Sequence, residues 1–511
     1  MNKNKQLTLN FALSITSFVI GTAITFFLTP YIVGTLGRAA YGFIGLSSNI
    51  IGYTSLITVA LNAMAGRFIS INYLQGNIKD ANKYFASVFY SNLFLSAIIS
   101  ILGVLFLIFI NKLLDVPNNL LFDVRLLFSL FTINSVFGLV TGIFGLGTFI
   151  KKRLDLSYSR GIIGRFLGAS ILVCLFTIFP PHIWYYGIHA LIMSLYAYIT
   201  NRIFLRRLTP DLRIKISNFD FKKVTELIKA GSWNIINKLS GMLSHGFDLI
   251  FANIFVGAAA MGTFSLSKTL SMMVLGLFGS FSGNFSPELT ELYAQNRINE
   301  LIAELQKSIK LLSCFSTPIL CALYIFTGDF FKLWLPQQDH QFLYLLATLG
   351  FLASPFTLPY EGLWNIFTLT NKLKVSSLTL FAESICVFTT VLTSMLLIKD
   401  VNMRLIVLAG SRTAWGALRC SLFLPMYGAH CLNIKLTTFY RYELKALFCL
   451  VLSCFICYVL KQHITINNWL LLIIAVGTCC IISFAINFFI VLDKDDKSYL
   501  ITTLKNKVPR I

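Results

Sequence analysis

Apolar stretches long enough to cross a bilayer recur along almost the whole chain, each bounded by charges or turn residues. They span 9–34, 41–66, 84–110, 122–150, 156–179, 183–203, 230–256, 259–284, 309–330, 341–368, 374–398, 403–428, 443–461 and 468–492. A transmembrane helix needs about 20 apolar residues, and within lipid each backbone N–H and C=O must be satisfied inside its own segment or a closed barrel. The pattern therefore predicts an all-α polytopic membrane protein with fourteen transmembrane helices. Composition agrees, since 56% of the 511 residues are hydrophobic and only 12% charged, against about 25% charged in soluble domains. Fourteen crossings leave short connections and no folded extramembrane domain. That excludes most soluble enzymes and leaves a transporter, a channel or an enzyme acting within the bilayer.

Basic residues give an independent test of the count, because a missed or invented helix would invert every later loop. With the N-terminus inside, loops assigned to the cytoplasm hold 28 of the 42 Lys and Arg, and the outside loops hold Arg38, Lys112, Lys332, Lys399, Arg404 and Lys461. Both termini are thus expected in the cytoplasm. The net charge of +21 reads as this topology signal in short loops, not as a nucleic-acid-binding face. Met1-Asn2-Lys3-Asn4-Lys5 followed by apolar residues imitates a signal peptide, but the apolar run is too long and lacks a small-x-small cleavage site.

The longest polar stretch, Arg206 to Glu226, lies near the middle of the chain. It divides an N-terminal six-helix bundle, 1–205, from a linker, 206–228, and a C-terminal six-helix bundle, 229–430, with two further helices and a tail over 431–511. An internal repeat supports the division: Gly42, Leu46 and Ser47 match Gly262, Leu266 and Ser267 at one constant offset, each set following a tight outside turn. An offset of six helices predicts bundles related by a pseudo-two-fold axis along the membrane normal.

Charges inside spans are costly and tend to face a cavity or a partner. Eight basic residues, including Arg165, Lys238, Lys268, Arg412 and Arg419, outnumber the acids Asp123, Asp248, Glu361 and Glu383 there, so an anionic substrate suits the interior. At 100° per residue, Asn234, Lys238, Gly241, His245, Asp248 and Ala252 share one stripe, either lining an aqueous path or satisfying its own charges against the next helix. Arg412 and Arg419 are seven apart around Trp415 and suit a phosphate group, or else snorkel and pair with Glu383. Gly161, Gly164 and Gly168 beside Arg160 and Arg165 favour close helix packing. Pro30, Pro355 and Pro359 should kink or unwind their spans. The eleven cysteines read as small buried hydrophobes, Cys454-x-x-Cys457 included, and Asp493 to Asp496 as a solvated tail.

The run from Thr29-Pro30-Tyr31 through Gly34-Thr35-Leu36-Gly37 to Tyr41-Gly42, then Ala60-Leu61-Asn62 and Arg67-Phe68, resembles the N-terminal signature of the polysaccharide transporters, the Wzx-type flippases of the MOP superfamily. Gly231-Ser232-Trp233, Asp248 and Gly262-Thr263-Phe264-Ser265 resemble the start of that family's second half, and Pro425-Met426-Tyr427 is also similar. The resemblance implies a two-bundle exporter of the bacterial inner membrane. It would carry an undecaprenyl-pyrophosphate-type lipid-linked glycan for O-antigen or capsule assembly, beside membrane lipid and a polysaccharide polymerase with its chain-length machinery. Arg412, Arg419, Lys238, Lys268, Arg165 and Asn234 are the expected substrate-binding residues. Asp248 with His245, then Glu383 and Glu361, are the expected ion-coupling groups for H+ or Na+. No catalytic residue, metal or cofactor is expected. A multidrug/cation antiporter would favour acids over bases in its cavity, and a glycan polymerase or ligase would carry catalytic groups on larger outside loops. Reporter fusions at Lys151, Phe219 and Tyr499 should report cytoplasm, and those at Pro181, Ala258 and Asp400 the outside; an odd number of crossings between Lys151 and Phe219 would refute the two-bundle topology.

Overall fold

The computed structural model describes residues 3–493 and 497, apart from 152, 283–288, 290, 291, 294 and 371; the side chains of His245 and several other helical residues also lie outside the described set. Among the described residues all regular structure is helical. Among the described residues, helical segments lie within each of the fourteen windows, and eleven stretches are long and apolar enough to cross a membrane. Lys494, Asp495 and Asp496 of the tail fall outside the described residues, as does Tyr499.

The chain forms two compact units, residues 1–266 with 380–396, and residues 267–379 with 397–511. The first contains α1 (Lys3–Leu74), α2 (Ile78–Leu113), α3 (Leu121–Thr141), α4 (Leu146–Ile150), α5 (Leu154–Ile178), α6 (Tyr185–Leu208), α7 (Phe221–Gly241), α8 (Phe247–Val256) and the beginning of α9 (Ala258–Ser282). α1 runs through Pro30 with helical dihedrals and breaks instead at Gly37, where φ is 83° and ψ 165°. The repeat offset pairs Gly37 with Gly257, which ends α8 at φ 118° and ψ 164°. Both conformations lie in a region open essentially to glycine alone, so these two residues set the turns that the repeat predicted.

These compact units do not divide at the 206–228 linker, and the reason is a seam of close backbone approach inside the first unit. A Cβ on Gly42 would fall 2.9 Å from Gly262 Cα, and one on Gly45 2.9 Å from Ser265 Oγ. A Cβ on Gly262 would collide with the Arg38 carbonyl, and one on Gly231 with that of Ala60. The repeat-equivalent residues Gly42 and Gly262 thus touch each other. Lipid supplies no hydrophobic drive between helices, so small residues that let backbones meet carry this packing. At the end of the seam Asp115 Oδ2 accepts from Ala258 N at 3.2 Å, and Asn253 exchanges hydrogen bonds with the Asp115 backbone at 2.8 and 3.0 Å. Asp123, counted from the sequence as a buried acid, is met by His182 Nδ1 at 3.0 Å.

The second unit is organised around α10 (Ile298–Trp334), followed by α11 (His340–Phe351), α12 (Ser354–Thr357), a 3-10 turn over Leu358–Leu363, α13 (Trp364–Leu369), α14 (Leu373–Leu397), α15 (Val401–Leu418), α16 (Leu424–Cys431), α17 (Tyr440–Gln462) and α18 (Trp469–Ile490). The part of α14 from 380 to 396 belongs to the first unit. Pro355 and Pro359 break the span as their sequence predicts, each at the start of a short helical turn. Ion pairs tie down the last two helices: Lys461 Nζ lies 2.6 Å from the half-buried Asp329 and also donates to the Ile325 carbonyl at 2.7 Å. Asp493, read from the sequence as part of a solvated tail, is exposed and also meets the buried Lys310 at 3.0 Å, and that hydrogen bond holds its carboxyl below the usual range.

The glycine seam is testable by size alone. Gly262→Leu and Gly231→Leu should each lose about 1–3 kcal/mol of stability from overpacking, read as a lower midpoint of thermal unfolding in detergent. Gly52→Ala, also in α1 but with no atom within 4 Å of the added Cβ, should unfold as the parent does.

Candidate functional site

Within the first unit, α1, α5 and α6 enclose a cavity of about 360 Å³ whose polar lining includes Arg165, His189, Tyr41, Tyr186, Thr25 and Ser48. Glycines admit its larger side chains. A Cβ on Gly21 would strike the Arg165 guanidinium, and one on Gly168 would strike the His189 ring; one on Gly164 would lie 3.4 Å from the Tyr196 ring. The packing role read for the glycines of α5 therefore also shapes the cavity wall. Thr25 and Thr29 direct their hydroxyls back to the carbonyls of Gly21 and Thr25, at 3.1 and 2.8 Å, which satisfies them within the helix. Tyr31 bonds the Phe176 carbonyl at 3.0 Å and ties α1 to α5. No carboxylate is among the described lining residues.

Of the sequence candidates, Arg165, Asn234, Lys238, Asp248 and Glu383 belong to the first unit and Lys268, Glu361, Arg412 and Arg419 to the second. Only Arg165 is in the described lining of this cavity. Arg160 donates to Asn201 Oδ1.

The stripe expected on the seventh span does not continue unbroken. A π turn over Met242–Gly246 separates α7 from α8. Its wider i→i+5 bonding absorbs one extra residue and turns Asp248 and Ala252 by about a quarter turn from Asn234 and Lys238. The ideal-helix projection had no means of locating that turn. Its surroundings are specific: Tyr53 donates to the Gly246 carbonyl and stacks on Phe247 at 5.6 Å, and Ser244 donates to Ser384 at 2.8 Å, beside Glu383. Asp248 Oδ1 accepts from Leu249 N at 2.7 Å. The sequence reading missed Tyr53, Ser244 and Ser384, as well as His189 and Tyr186, since each gains meaning only from a distant partner.

In the second unit Arg412 and Arg419 are half-buried on one helix face, and the Arg419 guanidinium sits 4.9 Å from the Trp364 ring centroid. A second π turn occupies Arg419–Phe423. Pro425 has no N–H for the Ser421 carbonyl four residues before it, and the Tyr440 hydroxyl takes that carbonyl at 2.7 Å instead. Glu361 lies half-buried in the 3-10 turn between Pro359 and Trp364, next to Tyr360, which donates to the buried Glu443 at 2.7 Å. Lys268 is half-buried on α9.

These features define an all-helical polytopic membrane protein with the fold of the MOP-superfamily transporters. The fold is similar to that of the lipid II flippase MurJ in an inward closed conformation, with TM-score 0.62 and 14% identity over 93% of this chain and 97% of that one. It is also similar to an inward-facing multidrug resistance MATE transporter, with TM-score 0.61 and 13% identity over 84% of this chain and 99% of that one. Residues 7–292 match the family model described as polysaccharide biosynthesis protein, and the chain belongs to that family. The uncharacterized membrane protein EpsK of Bacillus subtilis strain 168 is 26% identical over 501 residues, 97% of each chain.

The stacking of Arg419 gives a measurable expectation. Trp364→Ala should lower detergent stability by about 0.5–2 kcal/mol, and Trp364→Phe, which keeps an aromatic face, should recover part of that loss in the same thermal unfolding assay.

Proposed function

We propose that the chain is a flippase that moves a polyprenyl-pyrophosphate-linked oligosaccharide across the bacterial inner membrane by alternating access, without catalysing a reaction. The observation that carries this reading is the cavity of the first unit, with Arg165 and His189 in its lining and no carboxylate among the described lining residues. A pyrophosphate-linked sugar is anionic and hydrophilic, and a guanidinium matches phosphate oxygens through its planar fork. A cationic drug would be repelled by the same lining. Membership of the polysaccharide biosynthesis family and likeness to a structure named as a lipid II flippase support the same substrate class.

In this reading fourteen crossings form two six-helix bundles related by a pseudo-two-fold axis plus two C-terminal helices, with both termini in the cytoplasm. Arg165 holds the anionic head in one state, and Arg412, Arg419, Lys268 and Lys238 with Asn234 offer further contacts along the path. Asp248 next to the π turn, with His245, couples transport to H+ or Na+; Glu383 and Glu361 are the alternative carboxylates. The translocated unit feeds a polymerase for O-antigen, capsule or a similar surface glycan.

Deletion of the gene should stop surface polymer assembly and leave the lipid-linked unit on the cytoplasmic face. Arg165→Ala should reduce export at least tenfold with the protein level maintained, and Arg165→Lys should restore part of it. Intact surface glycan together with raised sensitivity to cationic drugs would refute the proposal in favour of a multidrug antiporter. Asp248→Asn should uncouple export from the ion gradient in reconstituted vesicles while insertion stays normal; retained dependence on the gradient would move the coupling role to Glu383 or Glu361.

A further inference from the structure

Four cysteines that look unrelated in sequence converge inside the second unit. Cys321 on α10, Cys457 on α17 and Cys479 on α18 are all buried, and their sulfurs lie within 4.8 Å of one another. Cys321 and Cys479 approach to 3.4 Å, and Cys454, one turn before Cys457, also interacts with Cys321. The neighbouring Cys480 faces elsewhere, toward the Pro318 carbonyl at 3.8 Å. The surrounding shell is apolar and includes Leu320, Ala322, Leu450, Leu472 and Ala475. The nearby carboxylate of Asp329 is held by Lys461 at 2.6 Å.

We propose that Cys321, Cys457 and Cys479, completed by Cys454, bind zinc and thereby pin the last two helices to α10. Zinc–sulfur bonds of about 2.3 Å in a tetrahedron separate the sulfurs by about 3.8 Å, so the three sulfurs within 4.8 Å of one another reach that geometry with small side-chain rotations. A set made only of sulfur selects a thiophilic cation over magnesium or calcium, which require oxygen. Binding releases the thiol protons as the ligands ionise. A bare thiolate in this apolar shell would be costly, and the divalent cation neutralises it. Three helices, two of which the Lys461–Asp329 pair already joins, would thus gain a coordinate crosslink, independent of the transport reading. The site lies outside the family-model match, which ends at residue 292.

The test is metal content of the full-length protein, purified in detergent under a non-chelating reductant. Wild type should carry about one zinc per chain by elemental mass spectrometry, and Cys321→Ser or Cys479→Ser should reduce this at least fivefold. Cys174→Ser and Cys386→Ser, outside the cluster, should retain it. Should the cluster variants fail to accumulate, titration of chelator-treated wild type with Cd2+ should develop the ultraviolet charge-transfer band of cadmium thiolate with saturation near one equivalent. Wild type that carries no zinc and takes up neither Zn2+ nor Cd2+ would overturn the proposal. So would full zinc in Cys321→Ser, or a Cys321–Cys479 disulfide in the freshly reduced protein.

Discussion

Backbone contact between helices is the constraint on which the first unit depends. At Gly42 with Gly262, and at Gly231 with Ala60, no volume remains for even one methyl group. In water such a seam would be supported by the expulsion of solvent from apolar surface, but lipid offers the same apolar environment to separated helices. Contact energy must therefore come from short distances and many atoms. The seam also bears on the candidate site, because Gly45 and Ser265 meet across it and both line the cavity that contains Arg165. A larger residue there would push on the cavity wall as well as separate the helices.

The helix breaks follow a second rule, that backbone groups released by a break must find another partner before they are placed in lipid. Pro425 releases the Ser421 carbonyl and Tyr440 satisfies it. The π turn at Met242–Gly246 presents the Gly246 carbonyl to Tyr53. The turn at Met242–Gly246 redirects the charged residue that follows it, Asp248. Proline alone does not locate a break: α1 passes through Pro30 and turns at Gly37, where only glycine tolerates the dihedral pair.

Electrostatic sign connects this architecture to the proposed substrate. The cavity has a guanidinium and an imidazole in its lining and no carboxylate among its described lining residues. Acids elsewhere are drawn into local pairs: Asp123 with His182, Asp329 with Lys461, and Asp493 with Lys310. A cationic lining of this kind suits the diphosphate head of the proposed substrate.

The sequence by itself determined the helical class and the position of the helical windows. These properties are local: a bilayer forces each segment to satisfy its own backbone, and a helix writes its period into about twenty neighbouring residues. Gly42 and Gly262 were legible as equivalents, and Pro355 and Pro359 as breaks, for the same reason. Tertiary structure alone decided that those two glycines touch, that His189 and Tyr186 join Arg165, and that a π turn carries Asp248 off the stripe of Lys238. It alone gathered Cys321, Cys457 and Cys479, which the sequence offered as separate small hydrophobes. Distances between helices depend on side-chain shape at every contact along their length, and no periodicity within one helix encodes the residue that will face it from another.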